Sequence, residues 1–163
     1  MFAAINAFLT SVADVLRTQR AIFGFGETSG GALISTTNIV SNTGVVAGDT
    51  TGVGTTKGYL AASSYGGDKA LFGFGYTGVN SSSTNLVSNT GVVVADTGGV
   101  GTARSGLAAA GFGGDKAIFG YGANSSAITI NITNLVTNTG VVGSDVTGVG
   151  TSRDTPAAAS YFS

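Results

Sequence analysis

The stretch Ala21-Ile22-Phe23-Gly24-Phe25-Gly26 returns as Ala70-Leu71-Phe72-Gly73-Phe74-Gly75 and again as Ala117-Ile118-Phe119-Gly120-Tyr121-Gly122. Self-similarity at a period of this size is the signature of a repeat architecture, and it decides how the rest of the chain is read. Residues 37–46 recur at 84–93 and 133–142, and Gly52-Val53-Gly54-Thr55 recurs at 99–102 and 148–151. Leu60-Ala61-Ala62 recurs at Leu107-Ala108-Ala109 and, with proline leading, at Pro156-Ala157-Ala158. The offsets are 47 and 49 residues. Every length difference falls in one loop after the aromatic stretch, where ten, eight and ten residues intervene. Variation confined to one connection marks it as exposed. The repeats span about 21–69, 70–116 and 117–163.

Each repeat reads as four short strands joined by tight turns. In the second, residues 58–65 are small and apolar, and Gly66-Gly67-Asp68 is a turn. Residues 69–75 alternate bulky with small side chains, which predicts Leu71 on one face and Phe72 with Phe74 on the other. Residues 85–87 form a third strand and 92–95 a fourth, closed by Asp96-Thr97-Gly98-Gly99. No helical periodicity with caps occurs in the repeats, so residues 20–163 are predicted to be an all-β domain.

Composition agrees. In 163 residues, 42% are hydrophobic, enough for a buried core, and only 9% are charged, far below the usual quarter. Twenty-eight glycines and one proline suit many tight turns. A net charge of −1 gives no electrostatic reason to expect nucleic acid as a partner. A surface so poor in charge suits a packed assembly. The chain has no Cys and no His, which removes the disulfide framework, thiolate metal sites, the cysteine nucleophile and the commonest general base. No cofactor, metal or catalytic constellation is predicted. The Gly-aromatic-Gly segments lack the GxGxxG spacing, the Walker lysine and the following helix of a phosphate loop; they read as bulges or close strand approaches.

The order of features within a repeat resembles the kelch family. Arg104 precedes Leu107-Ala108-Ala109-Ala110, then Gly113-Gly114-Asp115-Lys116, the aromatic stretch 117–122, a variable loop, Asn134-Leu135-Val136, and finally Arg153. The adjacent glycine doublet of that family is replaced by Gly-aromatic-Gly, and its fourth-strand tryptophan is missing. The resemblance covers 21–163 and implies three four-stranded propeller blades. The unit is also similar to repeats of bacteriophage virion proteins. Residues 157–163 correspond to a first strand without a second, and residues 19–23 to a second without a first. Three blades are too few for a ring, so two chains are expected to pair into a six-bladed ring. The alternative is a pseudo-threefold β-prism or β-trefoil.

Residues 1–19 stand apart as a short amphipathic helix. Phe2, Ile5, Leu9, Val12 and Leu16 fall at spacings of three and four, a narrow seam. It suits packing on its own β-domain, oligomerisation or docking to another component. No basic residue precedes the apolar stretch and Asp14 interrupts it, so neither a secretory signal nor a membrane span is predicted.

Asp49, Asp96 and Asp145 hold equivalent positions, and Lys57, Arg104 and Arg153 follow each by eight residues. An acid and a base repeated three times predict the same turn-bracing ion pair in each unit. The Ser/Thr-rich loops 27–36, 76–83 and 123–132 are the candidate contact surfaces. Together these features predict a non-enzymatic structural protein, and the resemblance to bacteriophage repeats implies a component of a virion: a fibre, decoration or tail-associated protein. Its partners would be further copies of itself and other virion proteins. The alternative is a carbohydrate- or host-surface-binding, lectin-like module with repeated weak sites, taking a host-surface glycan and gaining strength by multivalency.

Overall fold

The structure, a computed structural model, describes residues 19–161. All regular elements among them are β. The helix expected over residues 1–19, with Phe2, Ile5, Leu9, Val12 and Leu16, falls essentially outside the described residues.

The first unit is an antiparallel hairpin of β1 (Ala21–Glu27) and β2 (Leu33–Val40). The second is an antiparallel meander, β3 (Ala61–Tyr65), β4 (Lys69–Gly73) and β5 (Thr84–Val87), in that spatial order. The two-residue β6 (Arg104–Ser105) leads into the third unit, where β7 (Ala108–Phe112), β8 (Lys116–Gly120) and β10 (Thr133–Val136) repeat the meander. The two-residue β9 (Ala123–Asn124) pairs with β6. The sheets are small and open; no closed barrel or ring forms among the described residues.

The predicted fourth strand is present in each unit only as two isolated antiparallel bridges. In the second unit these are Val87↔Val93 and Thr84↔Thr97; the first has Val40↔Val46 and Thr37↔Thr50, the third Val136↔Val142 and Thr133↔Val146. Between its bridges the fourth segment keeps one backbone bond, Val94 N to Leu86 O at 2.9 Å, and is otherwise held by a side chain. The Asn85 amide donates to Val94 O at 3.1 Å and to Asp96 Oδ1 at 2.9 Å.

Strict alternation fails at one place. Leu71 and Phe74 lie in the core between the second and third units, whereas Phe72 lies in the core between the first and second. The cause is backbone geometry: β4 ends at Gly73, and Phe74 has φ 62°. The equivalent Phe25 (φ 62°) and Tyr121 (φ 65°) do the same, and the β1–β2 register shifts between Gly24 and Gly26. The Gly-aromatic-Gly segment is thus a bulge that turns its aromatic to the opposite face. A left-handed aromatic costs about 1–2 kcal/mol. Burying its ring returns roughly 1.5–3 kcal/mol.

The turned rings join the units. Phe25 meets Phe72 of the next unit edge-on, with centroids 5.2 Å apart, and Phe74 meets Phe119 at 5.1 Å. A Cβ on Gly24 would stand 2.9 Å from the Phe72 ring, and one on Gly73 2.6 Å from Phe119. Glycine is required there because the neighbouring ring rests on the backbone. Units therefore stack in sequence order, each presenting one face forward and the other backward.

Candidate functional site

Charged groups gather at the joints between units. Spacing along the chain predicts acid and base paired within one unit; the structure instead sets each base against the next unit's acid, as an ion pair for Lys57 with Asp96 and through charge alone for Arg104 with Asp145. Lys57, with no exposed surface, places Nζ 3.0 Å from Asp96 Oδ1, donates to Asn85 Oδ1 at 2.7 Å, and lies 5.7 Å from the Phe25 ring centre. It closes the first unit and reaches into the second. Asp96 also accepts from Thr55 N (2.9 Å) and Thr55 Oγ1 (2.6 Å) of the first unit. Partial burial pushes the Asp96 carboxyl up, but the bonds from Thr55, Lys57 and Asn85 outweigh it and hold it well below the usual carboxylate range.

The second joint repeats the first with arginine. Arg104 is buried, stacks 4.1 Å from the Phe74 ring centre, and donates from Nε to Tyr121 O at 2.9 Å and from Nη1 to Thr102 O at 3.2 Å. Burial pulls its pKa down to about 10, opposed by the charge of Asp145. Asp145 accepts from Thr102 N and Oγ1 and from Asn134 Nδ2 at 2.9 Å. Burial pushes this carboxyl up too, and these bonds with Arg104 bring it down. The match is incomplete: Arg104 Nη2 and Asn134 Oδ1 are buried with no hydrogen-bond partner. A planar guanidinium stacked on a ring does not reach where the lysine ammonium of the first joint reaches.

Asp49 and Arg153 are the two remaining charges of the set. Asp49 is exposed and accepts from Asn38 Nδ2 at 2.8 Å. Arg153 is exposed, lies 3.8 Å from the Tyr121 ring centre, and donates from Nη1 to Thr151 O at 3.0 Å. Neither forms an ion pair among the described residues.

Sequence reasoning missed the asparagine in each unit. Asn38, Asn85 and Asn134 make the same two bonds, to the fourth segment's carbonyl and to the aspartate eleven residues on. Their recurrence beside Thr37, Thr84 and Thr133 was the available signal. Thr55 and Thr102, the capping donors, recur in the same way.

Lys69–Asp68 (2.9 Å) and Lys116–Asp115 (3.1 Å) brace the surface turns. One shallow depression is lined by Tyr59, Tyr76, Ser105 and Asp154. The positions equivalent to Tyr59 are Gly106 and Thr155, so this surface is not repeated threefold. Among the described residues no three acidic groups gather as a metal-binding set, and no helix is long and apolar enough to cross a membrane.

The joints can do one kind of chemistry: they hold one unit on the next through a buried cation, a capped carboxylate and edge-on rings. No protein-family model and no curated protein sequence matches this chain.

Proposed function

We propose that this chain is a non-enzymatic structural protein, a component of a virion such as a fibre, decoration or tail-associated protein, that assembles with copies of itself. The observation that carries this reading is where the charge goes. In a chain with so few charged residues, Lys57, Arg104, Asp96 and Asp145 are all spent on joints between repeats rather than on a cleft. The antiparallel segments, three in the first unit and four in each of the second and third, support kelch-like blades, and pairing of two chains would complete a six-bladed ring. Phe2, Ile5, Leu9, Val12 and Leu16 would dock this head on a partner.

The alternative, a lectin-like module, is favoured by the exposed Tyr59 and Tyr76 beside Asp154, since aromatic faces next to a carboxylate suit a sugar. Light scattering on the purified chain, run beside a glycan-binding titration, separates the readings. A species well above 15.9 kDa without saturable sugar binding is expected. A monomer that binds a glycan saturably would replace the structural reading with the lectin one.

A further inference from the structure

We propose that a second copy of this chain docks head to tail, the backward face of its first unit seated on the forward face of its neighbour's third unit. The inference deepens the assembly reading above and rests on it.

Among the described residues, both outer faces carry, unfilled, what the internal joints fill. Phe72 and Phe119 are 4% and 0% exposed because the preceding unit covers them; their equivalent Phe23 is 62% exposed. On the other side, Gly24 and Gly73 are roofed by the next unit's ring, whereas a Cβ on Gly120 would meet only Thr133 Cγ2, at 3.4 Å. Phe23 of one copy therefore fits over Gly120 and Tyr121 of another, as Phe72 fits over Gly24 and Phe25.

The same complementarity holds for the apolar rim. Gly91 is covered by Ile39 and Gly140 by Leu86, each at less than ordinary contact distance from an added Cβ. Gly44 has nothing within 4 Å, and Leu135, the forward-facing equivalent of Ile39 and Leu86, is 47% exposed. The charges match in sign and place. Arg153 stands over Tyr121 as Lys57 and Arg104 stand over Phe25 and Phe74. The acid it would meet on an incoming first unit is Asp49, already aligned by Asn38.

The chain also carries a C-terminal segment whose sequence matches the first strand of a unit, and an open edge on β1 among the described residues. Ser160 Oγ donates to Gly111 O at 2.8 Å, and an added Cβ on Gly111 would meet Ser160 Oγ at 3.4 Å and Ser64 Oγ of the preceding first strand at 3.5 Å, so Ser160 sits where the first strand of a following unit would touch β7. Among the described residues β1 pairs with β2 alone. Transferring the β3–β4 and β7–β8 registers gives the pairs Ala157↔Gly24, Ala159↔Ile22 and Ser160↔Ala21 across copies. A head-to-tail contact of this kind either closes a ring or propagates as a fibre, according to its rotation.

The chain has no cysteine, so cross-links can be placed cleanly. Full-length Ala159→Cys mixed with full-length Ile22→Cys, and Ser160→Cys mixed with Ala21→Cys, are oxidised mildly. A mixed disulfide dimer is expected from at least one of these adjacent pairs, and none when the partner instead carries Val79→Cys on a distant loop. Charge supplies the second arm. Asp49→Arg and Arg153→Asp should each weaken assembly by about tenfold or more, and the double variant should restore it. All these positions are exposed except half-buried Ile22, which circular dichroism checks. Assembly that is indifferent to charge reversal and gives no cross-link would overturn this docking while leaving self-assembly intact. A chain monomeric at every concentration would overturn both.

Discussion

Lys57 and Arg104 occupy equivalent places but solve them differently. Lys57 satisfies Asn85 and Asp96 together, whereas Arg104 leaves one of its own nitrogens and Asn134 Oδ1 without partners. A buried unsatisfied group costs about 1–3 kcal/mol. Arg104→Lys should therefore lose less than about 1 kcal/mol in urea unfolding, despite surrendering two hydrogen bonds. Lys57→Met, which strands Asp96, should lose about 2 kcal/mol, below the usual cost of breaking a buried pair because Asp96 is partly exposed. The depressed Asp96 carboxyl sets the sign of an acid dependence. Its contribution is fully present above the unfolded carboxylate range, near pH 4, and is lost as pH falls through the folded value. Thermal melts between pH 7 and pH 3 should fall less steeply for Asp96→Asn than for the parent chain. The six charges were legible because they recur at fixed offsets. Their partners were not, since spacing along one chain is silent about which unit a side chain crosses to. An asparagine carries no charge pattern to draw the eye.

At the scale of elements, the aromatic strand shows what pattern reading can reach. Its existence, its bounds within two residues and the turns before it followed from alternation and glycine placement. The reversal at Phe25, Phe74 and Tyr121 did not, because alternation assumes an unbroken pleat and a left-handed residue breaks it. The fourth strand was overstated for a related reason: its valines have the right propensity, but asparagine side chains take the place of ladder bonds. The glycines before the turned aromatics give a direct test. Gly73→Ala forces a Cβ against the Phe119 ring and should cost about 1–3 kcal/mol in chemical denaturation. Gly120→Ala meets only Thr133 and should leave monomer stability unchanged within error, while weakening self-association measured by sedimentation.

For the molecule as a whole, stability accrues joint by joint, since each unit packs on its immediate neighbours. The second unit is covered on both sides, with Leu71, Phe72 and Phe74 all buried, while the first shows Phe23 to solvent. Amide exchange should accordingly be slowest in β4 and faster in β1; equal protection of the two in isolated monomer would contradict a linear stack. Repetition and an all-β character were plain in the sequence. The order of stacking was not, because near-identical units give no local clue to which faces meet. That likeness has a cost during folding. The forward face of the first unit, made to receive Phe72, is also shaped to receive Phe119. A chain that docks its third unit directly on its first, expelling the second as a loop, starts from a contact almost as good as the native one. Lysine against arginine at the base position, Ile39 against Leu86 at the apolar rim, and small differences in loop length act as addresses. Refolding from denaturant should therefore show a slow phase of unit re-sorting that accelerates when Lys57 and Arg104 are made still less alike in size. Intermolecular mis-sorting should lower the native yield as protein concentration rises.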